Sequence, residues 1–237
     1  MIKPFFLQMT VGSEPAEAVA EVAEQVPVEK TLSILELIAG GGWYIMGPLA
    51  ILSVVAIYIF IERFLAIQKA QKLDPAFMNK MKDFIFEGKM ESAKDLCKKT
   101  QTPFARMLLK GVARIGKPLG DISSAIENRG KLEIFNLEQG LSTLATIAGA
   151  APMIGFLGTV IGMITTFHEM YAAGNSVEIS NLSGGIMQAM VTTAAGLVIG
   201  IIAYIGYNTL VAKVDKVIHK MEATSIDFMD LLSEPAK

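Results

Sequence analysis

The chain has 237 residues, 52% of them hydrophobic and 19% charged, with a net charge of −2. That apolar share is high for a soluble domain, and no nucleic-acid partner is expected. One cysteine rules out an intrachain disulfide, and His168 and His219 are too few and too far apart for a metal site.

Residues 1–30 read as a disordered external arm, rich in Glu, Ala, Val and Pro beyond residue 10. The apolar run within residues 1–10 is too short for a signal-peptide core. Residues 31–42 follow as a short amphipathic helix in the outer membrane interface, ended by Gly40-Gly41-Gly42. Trp43 to Ile61 is a stretch of 19 uncharged residues, and a bilayer core of ~30 Å needs about 20. It is read as the first transmembrane helix, with Trp43 and Tyr44 at one boundary and Glu62-Arg63 at the other.

Residues 69–140 form a helical segment divided by breakers. One piece starts at Asp74-Pro75 and ends at Gly88, a second covers Lys89–Thr100, and a third runs from Pro103 to the Gly116-Lys117-Pro118 turn. A fourth, capped by Asp121, meets only Gly130 and Gly140, so one unbroken helix is expected to run on into the next apolar stretch. That stretch, 141–167, is 27 uncharged residues, and after a loop at 168–178 the last one, 179–212, is 34. At 1.5 Å per residue these are ~40 and ~51 Å long, more than a bilayer needs. Residues 213–237 form an amphipathic tail with Val214, Val217, Ile218, Met221, Ser225 and Phe228 at helical spacing. The fold class is therefore an all-α integral membrane protein. It has three transmembrane helices, two of them very long and projecting into the cytoplasm, and a helical cytoplasmic segment that packs against the projections.

Charge sets the orientation. Residues 1–42 carry Lys3 and Lys30 against Glu14, Glu17, Glu21, Glu24, Glu29 and Glu36, whereas 69–140 carry 14 Lys and Arg against nine acids. The 168–178 loop has no Lys or Arg, and the tail begins with Lys213, Lys216 and Lys220. The positive-inside rule places 69–140 and the C-terminus in the cytoplasm and the N-terminus in the periplasm.

Both long spans carry a stripe of small and polar residues. Gly155, Thr159, Gly162 and Thr166 fall on one face of the second span. Gly185, Gln188, Ala189, Thr192 and Gly196 share a sector of the third, with Thr193 at its border. Such stripes serve close helix packing, in which hydroxyls and amides bond across the contact, or they line a polar conduit. Pro152 is either a tolerated membrane kink or a bend that shapes a pore mouth. No Asp, Glu, Lys, Arg or His lies in the three apolar stretches. Because Thr and Gln do not titrate near neutral pH, a carboxylate for ion transfer has to come from another chain. No nucleophile–base pair or phosphate loop is present, and neither an enzyme activity nor a cofactor is expected.

The segments GGWYIMGPLAILSVVAIYIFIERF, APMIGFLGTVIGM and GGIMQAMVTTAAGLVIGIIAYIGYN resemble the MotA/TolQ/ExbB proton-channel family, its ExbB branch above all, over roughly residues 31–232. The resemblance implies a bacterial inner-membrane pentamer with the second and third spans around a central pore. It also implies a dimer of single-span ExbD-like subunits in that pore, carrying an Asp, and a TonB-like protein that takes the work to outer-membrane transporters. It matches Thr159 and Thr193 to the family's pore threonines and Pro152 to the proline before its GxxGTV motif. With the stripes added, the candidate ion pathway is Thr159, Thr166, Gln188, Thr192 and Thr193, and the packing or kink positions are Pro152, Gly155, Gly162, Gly185 and Gly196. Gln188 departs from the family pattern, in which Glu is common at that position, and this leaves proton relay to the partner's Asp. The alternatives are a TolQ-like or gliding/flagellar-type stator and a passive membrane scaffold.

Overall fold

The structure is a computed structural model that describes residues 42–72, 76–174 and 179–233. The expected arm at 1–30, all but the last residue of the expected 31–42 helix, Asp74-Pro75 and the 175–178 part of the loop lie outside the described residues. Within them the chain forms seven helices and no strand. These are α1 (Trp43–Gln71), α2 (Ala76–Phe86), α3 (Met90–Thr100), α4 (Pro103–Val112), α5 (Leu119–Glu138), α6 (Leu141–Ala173) and α7 (Ile179–Ser233). Three segments are long and apolar enough to cross a membrane, Trp43–Gln71 (α1), Leu119–Ala173 (α5 with α6) and Leu182–Ser233 (within α7). Met153, Phe156, Tyr204 and Ile205 lie 60% or more exposed on them, and an apolar surface of that extent belongs against lipid or other apolar helices.

Each long helix outruns its charge-free stretch. The first continues past Ile61 to Gln71 and the second past Phe167 to Ala173, because charged ends do not interrupt a backbone ladder. The third is one helix of 55 residues, ~82 Å at 1.5 Å per residue, so the tail is its continuation and not a separate element.

The expected unbroken helix through Gly140 is interrupted. Helix α5 ends at Glu138, Gln139 is extended, and Gly140 takes φ 79° before α6 begins. That left-handed backbone is easy only for glycine. The break frees carbonyls at the end of α5, and Arg63 of α1 answers one of them. Its Nη1 donates to the Asn136 carbonyl at 3.1 Å, while Nη2 pairs with Glu62 at 2.6 Å. A cation at a helix C-terminus also meets the negative end of the macrodipole.

The short helices have no core of their own. Phe77 and Met81 of α2, Cys97 of α3, Phe104 and Leu108 of α4 and Ile126 of α5 are buried together with Val217, Met221 and Phe228 of α7. Helix α4 is fixed by Thr102, which caps it through the Ala105 N–H at 3.3 Å, with Pro103 in its first turn. A buried carboxylate ties α4 to α5. Glu133, 1% exposed, accepts from Arg106 at 2.9 and 2.5 Å and pairs with Arg129 at 2.5 Å.

Candidate functional site

The glycines of α6 and α7 face one another and let the two backbones touch. A Cβ placed on Gly196 would lie 2.6 Å from the Ala151 carbonyl oxygen and 2.9 Å from Gly155 Cα. One placed on Gly155 would lie 2.8 Å from the Thr192 carbonyl oxygen. Gly162 sits against Ala189, Gly185 against Thr166, and Gly158 against Thr192. In a membrane, where burial itself drives little, this close approach is what holds helices together. Pro152 belongs to the same surface. It gives up the N–H that would serve the Ala148 carbonyl, and its ring fits where Gly200 lacks a side chain, 2.5 Å from the position of a Cβ there.

The hydroxyls divide into two groups across this crossing. Thr166 and Thr192 are buried in it, and each bonds its own helix, Thr166 to the Gly162 carbonyl at 2.8 Å and Thr192 to the Ala189 carbonyl at 2.7 Å. Thr159 and Thr193 stand at its edge, half-buried, with their hydroxyl oxygens 3.1 Å apart. Thr193 also donates to the Gly155 carbonyl at 3.0 Å, and Thr192 approaches the same carbonyl from its other side at 3.4 Å. One main-chain oxygen of α6 thus accepts from Thr193 and has the Thr192 hydroxyl close beside it.

A cavity of about 300 Å³ opens where α1 starts, and it includes Gly158, Gly162, Thr166, Gly185, Gln188 and Thr192 among its walls. Thr159 and Thr193 do not line it. One residue is ~100° of helix, so Thr192 and Thr193 point in different directions, and it is Thr192 that shares the cavity with Ile45 of α1. Gln188 is exposed, and its amide lies over Gly42 at the head of α1, 2.6 Å from where a Cβ would sit. The structure therefore brings Thr159 and Thr193 together and separates Gln188 from them. The sequence reading missed Gly158 and Gly200 as packing positions, although both continue the three-to-four spacing of the stripes. It also left Glu169 outside the site, whereas Glu169 is part of the cavity wall.

A model of the MotA/TolQ/ExbB proton channel family matches residues 99–223. A biopolymer-transport ExbB homologue of Methanothermobacter thermautotrophicus is 27% identical over 194 residues, which is 80% of this chain and 67% of that protein. An ExbB-like biopolymer transport protein of Synechocystis is 30% identical over 185 residues, 75% of this chain and 70% of its own length. The biopolymer transport protein exbB1 of Vibrio cholerae is 33% identical over 134 residues, 54% of this chain and 58% of its own.

Proposed function

The chain belongs to the MotA/TolQ/ExbB proton channel family, and from that premise we propose that it is the ExbB-type stator subunit of a proton-driven motor in the bacterial inner membrane. Its copies form a pentamer around single-span ExbD-like subunits. Protons pass the partner's Asp, and a TonB-like protein takes the resulting motion to transporters in the outer membrane. The charge distribution supports a periplasmic N-terminus and a cytoplasmic C-terminus.

One observation carries this reading. The Thr159–Thr193 hydroxyl pair sits at the α6–α7 edge, outside the cavity that faces α1, within apolar stretches that contain no Asp, Glu, Lys, Arg or His. Hydroxyls there can orient water or a partner's carboxyl, but they cannot store a proton. Such a wall suits a stator whose acid arrives on another helix, and a passive scaffold has no need of it. Thr166, Gln188 and Thr192 lie on the α1 side of the crossing, on the walls of the cavity there.

The test is co-expression with an ExbD-like partner, a count of chains in the purified complex, and proton flux across reconstituted vesicles. Partner-dependent flux that disappears when the partner's Asp becomes Asn supports the stator. A stable complex without flux is the scaffold and overturns the proposal.

A further inference from the structure

The cavity at the head of α1 has a feature that packing does not require. Its α6 wall runs from Gly158 to Glu169, eleven steps or ~17 Å of helix, so it reaches well into the span from the Trp43 end. Thr165, Thr166, Gln188 and Thr192 are on its walls, together with Gly158, Gly162 and Gly185. Its ~300 Å³ exceeds the ~30 Å³ share of a single water, and its walls offer the polar partners that buried water needs.

Glu169 stands at the outer rim. The buried face of α6 steps through Ala151, Gly155, Gly158, Gly162 and Thr166, and the next position on that face is Glu169. Its carboxyl therefore looks toward α1 and α7, while His168 is turned ~100° away. Glu169 is exposed at the rim and lines the cavity within. Among the described residues, Tyr44 is the other titratable group on the cavity walls, α1 carries no charge before Glu62, and α7 carries none before Lys213.

We propose that Glu169 is the proton-accepting carboxyl of a water-filled access path opening on the outer side of this subunit. The proposal rests on the stator reading above. A hydronium at the rim gives its proton to the carboxylate, leaving water and a carboxylic acid. The acid then returns the proton to water deeper in the cavity, and the carboxylate is restored. Nothing is oxidised or reduced, and no further reactant is consumed. The threonine hydroxyls and the Gln188 amide solvate the path without titrating.

The experiment uses the complex with its ExbD-like partner in vesicles, with flux measured against outside pH. Glu169→Gln is expected to lower flux at least about tenfold, a threshold set below the ~10²–10⁴-fold that a positioned acid–base group typically contributes, with assembly unchanged and Glu169→Asp largely active. Flux in Glu169→Gln within twofold of wild type overturns the proposal and leaves the stator reading standing. Absence of any partner-dependent flux in wild type overturns both. A second measurement does not depend on activity. A hydrophobic carbodiimide should form an adduct at Glu169 of the wild-type complex, and an unmodified Glu169 overturns the proposal even if the variants fail to assemble.

Discussion

Gly196→Ala puts the smallest possible side chain into the α6–α7 crossing. The new Cβ would lie 2.6 Å from the Ala151 carbonyl oxygen and 2.9 Å from Gly155 Cα, where ordinary contacts begin at 3.4 Å. Both neighbours are backbone and cannot rotate away, so the helices have to part by 0.5–0.8 Å at this level. A gap of ~0.5–1 Å forfeits a quarter to a half of each dispersion contact, and over the turns around the crossing this amounts to ~1–2 kcal/mol. The Thr193 hydroxyl, now 3.0 Å from the Gly155 carbonyl, is drawn past good geometry, at a cost of ~0.6 kcal/mol and up to ~1.7. Against these losses stands the helix propensity of alanine, a gain of ~0.8–1.0 kcal/mol. Gly149→Ala isolates that gain, because nothing lies within 4 Å of a Cβ at Gly149. The two variants should therefore differ by ~2–3 kcal/mol, with Gly196→Ala the less stable. Reversible unfolding in mixed micelles with rising denaturing detergent, followed by circular dichroism, measures the difference. Stabilities within ~0.5 kcal/mol of each other, the ordinary scatter of surface substitutions, would refute the close-contact account of the stripe.

Glu133→Ala strands the guanidinium groups of Arg106 and Arg129 at the α4–α5 contact. It should cost ~2–3 kcal/mol, below the usual 3–5 for a broken buried pair because both arginines reach solvent, and adding Arg106→Leu should recover part of the loss in the same detergent assay. Burial pushes the Cys97 thiol up to about 12 from an ordinary 9.0, so maleimide at pH 8 should leave the folded protein unlabelled and modify it fully once unfolded. The folded state then keeps a proton that the unfolded state releases above pH 9, so stability attributable to Cys97 is full below pH 9 and falls as the pH rises toward 12. Replacing Cys97 with Ala should flatten that alkaline slope in pH-dependent melts. Under the proposed stator role, Gln188→Leu should lower proton flux only moderately, by removing a hydrogen-bonding group worth ~0.6–2 kcal/mol, while Asp→Asn in the proposed ExbD-like partner should abolish it. Equal loss in the two, with the complex intact, would give Gln188 a part in transport itself.

The spans were legible because charge is excluded from lipid. Trp43–Ile61, Leu141–Phe167 and Ile179–Ala212 stand out as charge-free runs whatever the rest of the chain does. The stripes were legible as faces but not as neighbours. Periodicity places Thr192 and Thr193 ~100° apart on one helix, and it does not say that one lines the cavity facing α1 and the other does not. Gly140 read as a weak breaker beside Gly130, since the residue that answers a carbonyl freed at its turn, Arg63, lies 73 residues before Asn136. Half of the Glu133 cluster was open to sequence reading, because Arg129 stands four residues before it. The other half, Arg106, is joined to it only by the turn that folds α4 onto α5. Glu169 follows the apolar run and so falls outside any stripe, and it is the face it occupies that sets it in the cavity wall.

The length of α7 also makes it a lever. From Gly196, where α6 crosses it, to Phe228, locked among Phe104, Leu108 and Ile126, is 32 residues of continuous helix, ~48 Å. Beyond Gly206 it contains no glycine or proline at which to bend. A tilt of ~5° at the crossing therefore sweeps the Phe228 end through ~4 Å, close to the rise of three residues. Helices α2 to α5 are fastened to that far arm, so a small change in how α6 and α7 meet is delivered to them magnified, as displacement of a rigid rod.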